Sequence, residues 1–175
     1  MNIVLIGYRC SGKTVVGKIL ARELARTFVD TDDAIEEGTG ASIASMIAER
    51  GWAHFRDVEK AFVQDLSDKD NLVIATGGGV VLDRENIGRL KQKGWVVWLH
   101  GRPEVLKERM ARDMESGKLR PSLSGADPLK EVDRVLEERS GLYEQAGDYV
   151  VNTDHQPPEV VAETIIRALT DGSGD

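Results

Sequence analysis

The sequence predicts an α/β fold, a single domain built on a parallel sheet of about five strands with helices on both faces. Three observations carry that expectation. Apolar runs of strand length alternate with segments of helical periodicity along nearly the whole chain. The first apolar run passes directly into Gly7-Tyr8-Arg9-Cys10-Ser11-Gly12-Lys13-Thr14, a G-x-x-x-x-G-K-T string, and then into a helical pattern. The length of 175 residues suits one domain with a real core, and neither an internal repeat nor an interdomain linker interrupts it. Residues 1–170 are read as that domain and residues 171–175 as a disordered tail.

The elements follow in order. Met1 to Ile6 reads as a buried strand. A helix is expected from Lys13 to Ala25, with Val16, Ile19, Leu20 and Leu24 on one face. Phe28-Val29-Asp30 is a short second strand. One or two helices lie between Ser42 and Leu66, broken near Gly51. Asn71 to Thr76 is a strand ending in Gly77-Gly78-Gly79. A helix from Asp83 to Gln92 leads to a strand over Trp95–Leu99. Pro103 suits the first position of a helix reaching Asp113. The stretch from Glu115 to Asp127 holds glycine, proline and serine with few apolar anchors. Pro128 then opens a helix to Ala146, Tyr149–Val151 is the last strand, and Pro158–Leu169 the last helix.

Composition narrows the function classes. A formal charge of −7, with no long block of one sign, makes nonspecific binding to nucleic acid or a membrane surface a poor expectation. The apolar stretches are too short to span a bilayer, and the first strand carries no basic flank or cleavage pattern. One cysteine excludes an internal disulfide and fits a reducing cytoplasm, the expected location. Cys10 itself sits where a phosphate loop lowers a thiol pKa; the plainer role is to fill a small loop position.

Four constellations carry chemistry. In the Gly7–Thr14 loop, backbone N–H groups and the following helix N-terminus would cradle the β-phosphate of a nucleoside triphosphate. Lys13 would reach the β/γ oxygens and Thr14 would ligate Mg²⁺. Asp30-Thr31-Asp32-Asp33 ends the second strand. Its carboxylates could hold Mg²⁺ through water or orient an acceptor hydroxyl, or they could simply cap a helix. Arg56, Arg120 and Arg139 suit bidentate recognition of a carboxylate or phosphate, although a surface ion pair is the ordinary use of a lone arginine. Gly77–Gly79 would let backbone approach a ligand closely, or would form a flexible loop.

Taken together and in order, these residues resemble the shikimate kinase family over about Asn2 to Leu169. The carriers are the Gly7–Thr14 loop, Phe28-Val29-Asp30-Thr31-Asp32, Gly38-Thr39-Gly40-Ala41-Ser42-Ile43, Phe55-Arg56-Asp57-Val58-Glu59, Gly77-Gly78-Gly79, Leu119-Arg120-Pro121 and Arg139-Ser140-Gly141-Leu142-Tyr143. The resemblance implies a P-loop kinase fold with a mobile lid, roughly residues 113–125. It also implies ATP-dependent phosphorylation of the 3-hydroxyl of shikimate, a step of aromatic amino-acid biosynthesis.

By motif position the resemblance implies Lys13, Asp32 and Arg120 as catalytic residues. Gly7, Arg9, Cys10, Ser11, Gly12, Lys13, Thr14, Val15, Arg112, Arg120 and Gln156 would contact ATP, with Arg109 as the alternative to Arg112 at the adenine. Asp32, Arg56, Gly77, Gly78, Gly79 and Arg139 would hold shikimate, with Glu59 orienting Arg56. Thr14 and Asp30 would hold Mg²⁺. A monomer is expected, because no long apolar helix face is evident. Two departures stand out: Cys10 occupies a position where the family commonly has glycine, and Asp33 adds a third carboxylate. The nearest rival is another small-metabolite kinase, such as a gluconate kinase, which shares the phosphate loop. A GTP-dependent switch would need an Asn-Lys-x-Asp element, which this sequence lacks.

Overall fold

The structure is a computed structural model and describes residues 1–115 and 127–171. Five strands form one parallel sheet in the order β2-β3-β1-β4-β5. The central strand β1 (Asn2–Ile6) is buried at every residue. A strand covered on both faces buries both alternations, so Ile3–Ile6 is a continuous apolar run. The buried Asn2 amide is satisfied by the Lys69 carbonyl and the Leu72 N–H. Its neighbours are β3 (Leu72–Ala75) and β4 (Gly94–His100), with β2 (Thr27–Asp30) and β5 (Tyr149–Asn152) at the edges.

Alternate residues of β1 feed two different cores. Ile3 and Leu5 pack with Val73, Val97 and Val151 against α1 (Lys13–Glu23) and α7 (Pro158–Asp171). Val4 and Ile6 pack with Ile74 and Val96 against α3 (Ile43–Asp68), α4 (Arg84–Lys93) and α6 (Pro128–Ala146). Full burial of each such side chain contributes about 1.5–3 kcal/mol. A smaller cluster, with Leu106, Met110, Val132 and Val135, joins α5 (Pro103–Glu115) to α6 and receives Tyr8 from the phosphate loop.

The connection after β1 therefore goes to one face of the sheet, and the connection after its neighbour β3 goes to the other. A crevice opens between diverging loops of this kind at the carboxyl ends of the strands. Both glycine loops border that crevice, one following each strand.

Several expectations change in detail. Periodicity marks no helix between residues 31 and 39, although Asp30–Asp33 could cap one; α2 (Thr31–Thr39) starts there with Asp30 as its cap. It buries one apolar side chain, Ile35, too thin a stripe to register as helical periodicity. The expected break at Gly51 is real: its φ of 81° and ψ of 171° interrupt α3, a conformation open to glycine. Helix α5 runs two residues past Asp113, so the start of the expected lid is helical. Residues 116–125 of that lid, with Arg120, lie outside the described residues. Asp171 closes α7, and residues 172–175 of the expected tail also lie outside them. Among the described residues, no helix is long and apolar enough to cross a membrane.

Candidate active site

The phosphate loop is shaped by its backbone. Gly7 and Gly12 have φ of 142° and 99°, values that side-chain-bearing residues rarely adopt, and Gly12 caps α1 in that conformation. Lys13 Nζ donates to the Gly7 and Tyr8 carbonyls, 2.8 Å each, which folds the side chain back across the loop. Ser11 Oγ is buried and meets no partner among the described residues. Cys10 takes φ of 60° without being glycine. Its thiol approaches Asp113 Oδ2 at 3.6 Å, and burial, with the Asp113 carboxylate, pushes its pKa up to about 11. The thiol activation that a phosphate loop allows is thus reversed here.

Asp30 combines two roles that the sequence leaves as alternatives. Its Oδ1 accepts the Asp32 backbone N–H at 3.1 Å, capping α2. Its Oδ2 accepts the Thr14 hydroxyl at 2.8 Å. A hydroxyl and a carboxylate are thereby paired on the floor of the nucleotide cleft. This donor set suits Mg²⁺, which takes oxygen ligands, keeps several waters and rarely occupies an all-protein cage.

Two clefts meet at this loop. The first, about 550 Å³, is lined by residues 9–16, Asp30, Arg109, Met110, Thr153, Gln156 and Pro158. Arg109 lies across it, donating to the Thr153 carbonyl and to Thr153 Oγ1 at 3.2 Å, and to the Cys10 carbonyl at 3.3 Å. Arg112 is exposed and lies outside this lining, so Arg109 is the better placed of the two expected arginines. Val15, 53% exposed, offers an apolar surface in the same cleft.

The second cleft, about 560 Å³, draws on Asp32, Arg56, Glu59, Gly77–Gly79 and Arg139, residues from α2, α3, the loop after β3 and α6. Arg56 Nη1 donates to Glu59 Oε2 at 2.7 Å, and its guanidinium lies over the rings of Phe55 and Trp52, 5.1 and 5.4 Å from their centroids. Glu59 is 1% exposed, and Oε1 meets no partner among the described residues. Burial raises its pKa, opposed by Arg56. Arg139 Nη1 donates to the Gly78 carbonyl at 3.1 Å, while its buried Nε meets no partner among the described residues. Two guanidiniums with donor capacity thus border this cleft, a match to a carboxylate.

Two of the three glycines leave space that neighbouring side-chain tips occupy. A Cβ on Gly77 would stand 2.8 Å from Asp32 Oδ1 and 3.1 Å from Glu59 Oε1, and one on Gly79 would collide with the Arg56 guanidinium. The Gly77 N–H donates to Thr31 Oγ1 at 2.9 Å, so this amide is engaged within the protein.

Arg9, Lys13 and Thr76 line both clefts. The sequence reading did not single out Thr76; its signal was its place at a strand end, directly before the glycines. Asp33 lines the second cleft and is absent from the lining of the first, which separates it from the Thr14–Asp30 pair. Arg120 lies outside the described residues.

Two clefts of similar volume, one on the phosphate loop and one lined by arginines and carboxylates, joined through the phosphate-loop lysine, define a P-loop kinase of a small polar acceptor. The chain belongs to the shikimate kinase family, whose sequence profile, described as "Shikimate kinase", matches residues 9–170. A shikimate kinase of Syntrophus aciditrophicus (strain SB) is 41% identical over 174 residues, covering 95% of this chain and 89% of that protein. The structure of a shikimate kinase from Acinetobacter baumannii in complex with shikimate superposes with a TM-score of 0.91 at 33% identity, covering 99% of this chain and 95% of that one. A gluconokinase from Sinorhizobium meliloti 1021, at 22% identity and a TM-score of 0.64, shares the fold. Its coverage is 98% of this chain and 94% of its own.

Proposed function

We propose that this protein transfers the γ-phosphoryl group of ATP to the 3-hydroxyl of shikimate, giving shikimate 3-phosphate and ADP. The observation that carries this reading is the position of Lys13, on the wall common to both clefts. ATP lies in the first cleft with its phosphates on the Gly7–Thr14 loop and its base between Arg109 and the loop containing Gln156. Arg56 and Arg139 hold the shikimate carboxylate. Asp32 accepts a hydrogen bond from the 3-hydroxyl and takes its proton as the new O–P bond forms. The bond from the γ-phosphorus to the bridging oxygen breaks, and ADP leaves with that oxygen.

Lys13 exchanges its two loop carbonyls for phosphate oxygens and follows the charge as it moves from the γ to the β group. Thr14 and Asp30 would hold Mg²⁺, which supplies charge neutralisation and a fixed geometry for the phosphates. Arg120 adds a further positive charge from a lid over residues 113–125 that keeps water from the γ-phosphate. The domain covers residues 1–170 and works as a cytoplasmic monomer.

The test is Mg²⁺-dependent ADP release in a coupled assay with shikimate, gluconate, a nucleoside monophosphate or no acceptor offered in parallel. Release with shikimate alone is expected. Preference for gluconate or a nucleotide would overturn the acceptor assignment while leaving the ATP site in place.

A further inference from the structure

Tyr143 is fully buried, stacked on Trp98 with ring centroids 5.8 Å apart and planes at 19°. Its phenol is nevertheless polar, and it donates to the Gly78 carbonyl. Arg139, one turn earlier on α6, donates to the same oxygen at 3.1 Å. Two donors from one helix face therefore converge on a single carbonyl in the triple-glycine loop. Burial pushes the Tyr143 pKa up to about 12, so the phenol remains a donor at any working pH.

The consequence concerns the other end of that peptide unit. Every peptide bond described is trans, so the Gly79 N–H points opposite to the Gly78 carbonyl, away from Tyr143. Gly79 lines the acceptor cleft and Tyr143 does not. No acceptor among the described residues meets the Gly78 or Gly79 N–H. With glycine on both sides of the peptide, the two torsions that would flip it are almost unrestrained. A flip would turn the carbonyl oxygen toward the cleft in place of the N–H; the oxygen would repel an anionic group, and the N–H could no longer donate to the acceptor. Arg139 alone is a poor lock, because its guanidinium is also called on to grip the acceptor's carboxylate.

We propose that Tyr143 is a positioning residue for the acceptor: its buried hydroxyl pins the Gly78 carbonyl toward α6 and so presents the Gly79 N–H to the acceptor. This rests on the kinase reading above, and its effect is confined to the acceptor side. In Tyr143→Phe the ring and its packing remain, and only the donor is lost. The KM for shikimate is expected to rise about fivefold, the cost of one hydrogen bond, with the KM for ATP unchanged within about twofold.

Adding Gly78→Ala to Tyr143→Phe should recover most of the loss, because alanine narrows the torsions available for the flip. The site has room, since a Cβ there stands 3.5 Å from the Gly7 carbonyl oxygen and 3.6 Å from the Arg9 nitrogen. A lowered melting temperature with an unchanged shikimate KM would overturn the proposal and leave Tyr143 a packing residue. An equal rise in both KM values would also overturn it. Should the acceptor assay favour another compound, the same comparison is made with that compound, so failure of the assignment and failure of the positioning role are read separately.

Discussion

The two clefts that share Lys13 are built in different ways. The cleft proposed for the nucleotide takes the whole contiguous stretch of residues 9–16 into its lining, with Gly12 in a left-handed torsion. The acceptor cleft is assembled from α2, α3, the loop after β3 and α6, and its chemistry lies in side chains oriented by one another. A backbone site depends on a few torsions and changes little when one side chain is altered. A side-chain site depends on tertiary packing, so a change in one member disturbs the rest. Substitutions should separate the two clefts accordingly.

The largest separation is expected at Asp32. Asp32→Asn keeps the shape and removes the proton acceptor, so kcat should fall by about 10²–10⁴-fold. ATP affinity, measured by calorimetry without acceptor, should be unchanged. A matching loss of ATP affinity would place Asp32 with the phosphates and erase the distinction between the clefts.

Glu59 gives a smaller, pH-dependent effect. Burial raises its folded pKa above the ordinary 4.5, against the opposing influence of Arg56. The folded state therefore favours the protonated acid more than the unfolded chain does. The stability Glu59 contributes is fully present below about pH 4.5 and is lost as pH rises through the raised folded value. Glu59→Gln should flatten the stability curve across that interval, read by thermal melts from pH 4 to 7 in matched buffers. It should also release Arg56 and raise the shikimate KM by about 3–10-fold, with ATP binding unchanged. A melt curve of unaltered slope would remove Glu59 from the account.

The smallest effect is expected at the loop's own side chain. With its pKa raised to about 11, Cys10 should alkylate with iodoacetamide at pH 7.5 more slowly than free cysteine. Asp113→Asn should accelerate that reaction modestly by removing the negative neighbour. Rapid labelling of the parent protein would show that the loop activates the thiol after all.

The nucleotide side was legible in the sequence because its determinants are local. Strand, glycine loop and helix lie within a few residues, and the G-x-x-x-x-G-K-T spacing already predicted the strand–loop–helix order that the fold shows. The apolar run of β1 and the alternation of strands and helices were readable for the same reason, since burial on both faces writes itself into consecutive residues. Helix α2 was hidden, because Ile35 alone does not make a period. Arg56 and Arg139 could be chosen from the other arginines only through the family resemblance, which supplied the order of motifs that composition lacks.

Other features were decided by the tertiary structure alone. Asp30 serves at once as helix cap and partner of Thr14 because β2 ends beside α1. Burial, with Asp113 brought against it by α5, raises the Cys10 thiol pKa to about 11. A Cβ at Gly77 or Gly79 would displace the side-chain tips of Asp32, Glu59 or Arg56 from the places they hold at the second cleft. Tyr143 reaches Gly78 across 65 residues of chain. Local sequence specified torsions, burial and the phosphate loop. Proximity between distant segments, and hence pKa shifts, shared donors and the acceptor cleft, followed only from packing helices onto the two faces of the sheet.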